Sequence, residues 1–243
     1  MRAAIAVVFI LACAATAAAQ PSSRRFTIAI NGGVEAAAQT LQDDFRFDEG
    51  PEEGTIAARY PTADAILVDG SLAVRLARRI RGGVAVSYAS ASTAARVQAG
   101  IPHPFHFERL RPVEGDSSKL DRTELGVHAQ IQFVLPLTRR LHAVIGGGPT
   151  YFNVERQLVE RVEYDHAYPY DEASFRSATS RRAKGSGIGF NAGGDVVWSF
   201  TSRAGLGASV RFTRGTVDLE AAGRQVGVEA GGVQAGAGVR VSF

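Results

Sequence analysis

Val233-Gln234-Ala235-Gly236-Ala237-Gly238-Val239-Arg240-Val241-Ser242-Phe243 alternates without a break and closes on an aromatic residue. In an extended strand Val233, Ala235, Ala237, Val239, Val241 and Phe243 share one face, and Gln234, Gly236, Gly238, Arg240 and Ser242 share the other. One face suits lipid and the other a wet, crowded interior. A membrane-crossing strand needs about 9–11 residues, apolar outward and polar inward, with aromatics at the boundary. The segment meets all three conditions and predicts a transmembrane β-strand.

Seven earlier stretches carry the same alternation. Phe26 to Ala36 puts Phe26, Ile28 and Ile30 outward. Ala65 to Leu76 sets Ile66, Val68, Leu72 and Val74 against Leu67, Asp69, Ser71 and Arg75. Gly83 to about Val97 is the third, and Arg122 to Leu135 opposes Leu125, Val127, Ala129, Ile131 and Phe133 to Glu124, His128, Gln130 and Gln132. Leu141 to about Val154 is the fifth, its facing blurred by Gly146-Gly147-Gly148-Pro149. Ser186 to Phe200, Ala204 to about Val217 and Val226 to Phe243 complete the set. The expectation is an all-β fold, an eight-stranded antiparallel up-and-down transmembrane β-barrel, whose strand number is even as single-chain barrels require.

Connection lengths supply an independent check. Arg78 to Arg81, Pro136 to Arg140 and Thr201 to Arg203 are short; Ala37 to Thr62, Gly100 to Asp121 and Leu158 to Gly185 are long. Short turns belong in the periplasm and long loops outside. With that topology Phe26, Phe133, Trp198, Phe200 and Phe243 fall near the periplasmic rim, while Tyr88, Tyr151, Phe190 and Phe212 fall about a membrane thickness away. Two aromatic girdles follow. A soluble lipocalin-like barrel would instead point these aromatics inward and leave the charged face as solvent surface, which this pattern disfavours.

The first residues agree with export. Met1-Arg2 is a short positive start, Ala3 to Ala15 is apolar, and Ala17-Ala18-Ala19 before Gln20 is a small-residue cleavage pattern, so residues 1–19 read as a signal peptide and residues 20–243 as the barrel domain. The apolar run is short for a membrane anchor. Cys13 matches a lipoprotein processing site only loosely and falls in the discarded segment, which leaves no cysteine for disulfides, thiol catalysis or metal ligation. Apolar residues make up 45% of the chain, yet no later stretch is long enough for a membrane helix, so any membrane-facing surface has to come from strands. A net charge of +3 with basic and acidic residues interspersed gives no nucleic-acid signal.

From about Arg25 to Phe243 the chain resembles the small bacterial outer-membrane β-barrel proteins, broadly OmpA- or OmpW-like, on the strength of the leader, the eight alternating segments and the Phe243 ending. Ile101-Pro102-His103-Pro104-Phe105-His106-Phe107 and Ala167-Tyr168-Pro169-Tyr170-Asp171 resemble loop motifs of an uncharacterised group of such proteins. The resemblance implies a bacterial outer-membrane location, lipid and lipopolysaccharide as surroundings, and recognition of the C-terminal strand by the barrel assembly machinery. It implies no catalytic residue, metal or cofactor.

Two places are candidates for function. An eight-stranded barrel is just wide enough for side chains to fill, and Glu35, Asp69, Arg75, Glu124, His128, Asp195, Arg211, Glu229 and Arg240 are expected inward. They form either a salt-bridged plug or a narrow polar path, with Asp195 and Arg211 as opposite or diagonal neighbours across a short turn. The loops are the second place. His103, Phe105, Phe107, Arg109, Arg111, Tyr168 and Tyr170 combine the aromatic and arginine side chains that binding surfaces favour, for a surface partner or lipopolysaccharide phosphates, or else simply pack the loops together. Catalysis needs a nucleophile beside a positioned base. The five histidines fall on loops (His103, His106, His166), inward (His128) or at the periplasmic rim (His142), so no enzyme is expected, and Pro102 and Pro104 oppose the helical geometry a His103–His106 metal site would need. The functional expectation is a small porin-like barrel passing small or apolar solutes. The alternative is a non-conducting structural or adhesive barrel that binds through its loops.

Overall fold

Period-two alternation becomes eleven strands in the structure, a computed structural model that describes residues 25–37, 40–221 and 224–243. The expected leader at residues 1–19 lies outside these residues. The strands are β1 (Phe26–Ala37), β2 (Leu41–Glu49), β3 (Glu52–Tyr60), β4 (Ala65–Arg75), β5 (Ile80–Pro102), β6 (Leu110–Pro136), β7 (Leu141–Asp165), β8 (Ser174–Ser199), β9 (Ala204–Ala221), β10 (Arg224–Ala230) and β11 (Gly232–Ser242).

Eight of them, β1, β4, β5, β6, β7, β8, β9 and β11, close into an antiparallel ring. The first and last strands make the closure, registered from Thr27 opposite Ser242 to Ala37 opposite Gly232. Below that register the Phe243 N–H donates to the Phe26 carbonyl at 2.9 Å, and Phe26 N–H returns a bond at 3.3 Å. Short turns at one end join β4 to β5, β6 to β7 and β8 to β9. Thr138 and Thr201 shape two of them, each hydroxyl accepting from backbone N–H groups two and three residues on, Arg140 and Leu141 in one turn and Arg203 and Ala204 in the other. This end is the turn side, and the opposite end is the tip side.

The strands run far past what a membrane requires. β5 to β8 have 23, 27, 25 and 26 residues, against the roughly 9–11 that span lipid. Most of the stretches expected as long loops are therefore strand. Ala37 to Thr62 contains the β2–β3 hairpin, turning at Gly50 (φ 64°), and β3 lies on the far half of β5 with Thr55 opposite Gly100. The stretch expected as one strand from Val226 to Phe243 divides into β10 and β11 at Gly231 (φ 90°), where an added Cβ would stand 2.5 Å from the Thr213 carbonyl oxygen. Above the ring, β2, β3, β5, β6, β7, β8, β9 and β10 form a second wall. Among the described residues β2 and β10 are not paired, so this wall carries a seam.

Side-chain parity holds along β9, while β6 slips by one residue at a bulge, where Leu120 and then Ser117 are buried, and the chemistry of the two faces inverts at one height. On β9 the outward residues run Leu206, Val210, Phe212 and then Arg214, Thr216, Asp218, while the inward ones run Ser209, Arg211, Thr213 and then Val217, Leu219. The lower outward residues join Ile30, Val34, Ile66, Val84, Ile131 and Ile188 in an exposed apolar belt. The expected girdle aromatics edge this belt. Phe26, Phe133, Trp198, Phe200 and Phe243 are exposed on the turn side, and Tyr88, Tyr151, Phe190 and Phe212 on the tip side. So continuous an apolar outer surface is stable only against lipid. The facing of β7 is also settled, because Ile145 and Tyr151 point outward while Val144, Thr150 and Phe152 are buried, an unbroken alternation through Gly146-Gly147-Gly148-Pro149.

Above the belt the interior is a dry core. Ile56, Tyr60, Val97, Ile101, Leu158 and Leu219 are fully or almost fully buried in it. Phe152 forms its floor against Gly215, where a Cβ would come within 2.7 Å of the ring. Arg156 enters this core by stacking its guanidinium 4.8 Å over the Tyr60 ring, and desolvation lowers its pKa to about 10.

Candidate functional site

Inside the belt the polar residues of the lumen form a ladder. Nearest the turn side, Arg240 grips both Asp195 carboxylate oxygens at 2.8 and 2.9 Å and donates to the Asn31 side chain at 2.6 Å. Asn31 donates to Asp69 at 2.8 Å, and Asp69 also holds Arg211 at 2.5 Å. Arg211 donates to Gln234 at 2.9 Å, and Gln234 donates to Glu35 at 2.8 Å. Arg122 completes the ladder on Glu35 at 2.7 Å and Glu124 at 3.4 Å. Every carboxylate in it has an arginine or amide donor, which is what burial of charge demands.

A neutral network covers the other wall. His128 bonds Ser87 through Nε2 at 2.8 Å and Thr150 through Nδ1 at 2.9 Å. Asn191 donates to Thr150 at 2.9 Å and accepts from Gln130 at 2.8 Å, with Gln132 donating to Gln130. Both imidazole nitrogens are occupied, so His128 is a structural crosslink.

Six of the nine residues expected in the lumen, Glu35, Asp69, Glu124, Asp195, Arg211 and Arg240, join the ladder. His128 belongs to the neutral network, and Arg75 faces inward only at the turn-side mouth. Glu229 is a correction. It lies on the outward parity of β10, exposed, and pairs with Arg214 at 2.6 Å on the outer wall. Its strand shares the parity of Val233 to Phe243, so an odd-numbered residue there faces out. Asp195 and Arg211 are diagonal neighbours as expected, since Asp195 opposes Ser209 and Gly193 opposes Arg211. Each nevertheless takes a partner on another strand, Asp195 reaching past β9 to β11 and Arg211 past β11 and β1 to β4. Asn31, Gln234 and Arg122 complete the ladder without having been singled out beforehand, although Gln234 and Asn31 sit on the inward parity of strands already recognised.

The two lumen cavities nearest the turns lie below and within the lower part of the ladder. A vestibule of about 270 Å³ opens at the mouth, and a recess of about 80 Å³ continues up to Asp69 and Arg211.

At the tip side the β5–β6 and β7–β8 connections lock together. The Arg111 guanidinium donates to the Pro102 carbonyl at 2.8 Å and the Tyr170 carbonyl at 3.2 Å, and lies 3.3 Å from His166 Nδ1. His103 Nδ1 accepts from the Phe105 and His106 N–H groups at 3.1 and 3.2 Å. Burial and the neighbouring basic side chains of His106, Arg109 and Arg111 lower the His103 pKa, with Asp171 opposing them. Arg109 bridges to Asp171 at 3.0 Å. The Glu108 N–H, at a residue with φ 61°, donates to Glu52 and ties in the β2–β3 turn.

Of the expected loop surface, His103 and Arg111 are thus corrections, buried as internal clasps because two crowded connections need donors and acceptors between them. Tyr170 is half-buried, edge-on to Phe105 at 5.6 Å and to Tyr168 at 6.1 Å. Phe105, Phe107 and Tyr168 are 70%, 76% and 85% exposed, which makes them the aromatic face of the tip beside Arg109.

No family model and no curated protein matches the sequence. Among solved structures the chain is similar to the Neisserial surface protein A, with 12% identity over 92% of this chain and 100% of that one and a TM-score of 0.49. It is also similar to the outer membrane protein OprG of Pseudomonas aeruginosa, with 10% identity over 91% and 98% and a TM-score of 0.48. The N-terminal β-barrel domain of OprF from the same organism gives 17% identity over 91% and 100%, with a TM-score of 0.38.

Proposed function

We propose that the protein is an integral outer-membrane barrel that does not conduct, and that it acts as a rigid pedestal holding an aromatic tip clear of the membrane for a surface partner. The observation that carries this reading is the inverted interior. A straight solute path would have to cross the arginine–carboxylate ladder and then the apolar core between Phe152 and Ile101. The belt, the girdles and the placement of the short β4–β5, β6–β7 and β8–β9 turns together at one end support turns in the periplasm and tips outside.

Height favours a macromolecular partner over lipopolysaccharide phosphates at the membrane boundary. Fourteen residues separate Tyr88 at the girdle from Pro102 below the tip, roughly 35–40 Å for strands tilted as in such barrels. Phe105, Phe107 and Tyr168 supply rigid apolar contact area and Arg109 a directed charge, the composition of a binding hot spot. The C-terminal strand through Phe243 serves assembly, as the segment offered to the barrel assembly machinery. The role assigned is binding, with no catalytic step.

Planar-bilayer recording of the refolded, heat-modifiable protein tests the first half of the reading. Silence is the expected result, and steady openings altered by Arg211→Ala would overturn it in favour of a pore. For the second half, cells displaying the Phe105→Ser/Phe107→Ser/Tyr168→Ser variant lose adhesion to a host-cell or bacterial surface that retains wild-type cells. Unchanged adhesion by that variant, with heat-modifiability intact, removes the tip as the contact.

A further inference from the structure

The turn side is rich in arginine, and Asp195 is the single acidic side chain in the vestibule lining. Arg25, Arg78, Arg79, Arg139 and Arg140 stand around the rim, and Arg75, Arg81 and Arg203 line the vestibule. None of the eight forms an ion pair among the described residues, in contrast to the paired arginines of the ladder and the outer wall. The strand ends that build the mouth, residues 25–30, 70–85, 133–145, 197–206 and 239–243, hold no aspartate or glutamate.

Two of these arginines are set against each other. Arg75 on β4 and Arg81 on β5 are direct register partners, and both face the vestibule. Like charges directly opposite one another on a sheet repel. The acid that does line the cavity, Asp195, has both oxygens held by Arg240. Hydroxyl donors surround the same space: Thr27, Ser71, Ser199 and Ser242 all line it. With the Arg240–Asp195 pair in its upper lining, the vestibule measures about 270 Å³.

We propose that this vestibule binds a compact phosphate-bearing anion through Arg75, Arg81 and Arg203. Guanidinium forks match phosphate oxygens in pairs, and a dianion neutralises the facing Arg75–Arg81 pair where a single carboxylate would not. The low-dielectric barrel wall strengthens that attraction relative to open water. The phosphate group has two possible sources at this mouth, a free phosphate compound or the headgroup of an anionic phospholipid in the adjoining leaflet. Both present phosphate oxygens to the arginine forks, a free phosphate with up to two negative charges and a phospholipid phosphodiester with one.

The test is calorimetric titration of the refolded full-length barrel with inorganic phosphate in neutral maltoside micelles. It is paired with thermal unfolding in nanodiscs of phosphatidylglycerol or phosphatidylcholine. One saturable phosphate site is expected, weakened at least tenfold by Arg75→Gln or Arg81→Gln and unchanged by Arg46→Gln on the outer wall. Arg81→Lys, which keeps the charge and removes the fork, gives an intermediate loss. Heat-modifiable migration confirms that each variant is folded. If inorganic phosphate does not bind but phosphatidylglycerol raises the unfolding midpoint in an Arg81-dependent way, the anion is a lipid headgroup. Saturation in neither arm, or saturation that Arg75→Gln and Arg81→Gln leave intact, overturns the proposal.

Discussion

The belt half and the tip half share β5 to β9, yet each is the other turned inside out. Below Phe212, β9 shows apolar residues to the outside and Arg211 to the inside; above it, Arg214 and Asp218 face out while Val217 and Leu219 are buried. A strand has two faces whatever its composition. Which face is apolar follows from what lies outside, lipid for one half and water for the other. Lipid supplies no hydrophobic drive toward the interior, so the lower lumen can be polar provided every charge is paired. Water supplies that drive, so the upper wall closes on Phe152, Leu158 and Val97 as a soluble sheet protein does.

The sharpest way to break the comparison is to place a charge in the tip-half core. Val97→Asp leaves an unpaired carboxylate among apolar neighbours, and the tip half is expected to melt while the belt half stays folded. Limited proteolysis would then cut the β2–β3, β5–β6 and β7–β8 extensions and leave a heat-modifiable membrane fragment. Phe152→Ala, at the boundary between halves, costs about 3–5 kcal/mol in the same assay. If either substitution unfolds the whole chain in one step, the two halves are a single cooperative unit.

In the belt half the matching lesion is electrostatic. Asp69→Ala strands Arg211 in the lumen and is expected to cost about 3–5 kcal/mol, read from the urea midpoint in lipid vesicles. Asp69→Leu combined with Arg211→Met recovers most of the loss, because it removes both charges together. No recovery in the double variant would mean that the ladder contributes more than mutual neutralisation.

Smaller effects sharpen the picture at the tip. Arg111→Ala removes the clasp and frees the Pro102 and Tyr170 carbonyls, a local cost of about 2–3 kcal/mol seen as faster protease nicking between residues 103 and 109. Acid should act in the same direction. The His103 pKa is lowered in the fold, so its contribution is whole above the ordinary imidazole value and is lost as pH falls below it. Nicking at pH 5.5 should therefore exceed that at pH 7.5, and His103→Gln should flatten the difference. At the bottom of the scale, Glu229→Gln breaks an exposed pair with Arg214 and should change stability by no more than about 0.5 kcal/mol. A loss of several kcal/mol there would return Glu229 to the interior.

Alternation along a single strand is local, and so the belt half was open to sequence reasoning: strand number, outward residues, both girdles and the types of residue lining the lumen. The tip half carries an equally regular signal. Val217-Asp218-Leu219-Glu220 and Val226-Gly227-Val228-Glu229-Ala230 alternate as cleanly as Val233 to Phe243. Its charged outward positions resemble loop composition, and so Ala37 to Thr62, Gly100 to Asp121 and Leu158 to Gly185 were expected as connections, while Val226 to Ala230 was expected as strand with Glu229 in the lumen. Continuing the parity of β11 back through Gly231 puts Glu229 outside.

Partner choice had no such local signature. Asp195 and Arg211 are close in the sheet, yet one takes Arg240 and the other Asp69, because closing the ring brings β11 and β4 within reach at those heights. The same closure turns His103 and Arg111 into clasps and leaves Phe105, Phe107 and Tyr168 outside. Period-two patterning is a property of neighbours in the chain and survives in any fold that keeps the strand. Contacts across a barrel depend on the stagger of all eight strands at once, which is decided only when the first strand meets the last.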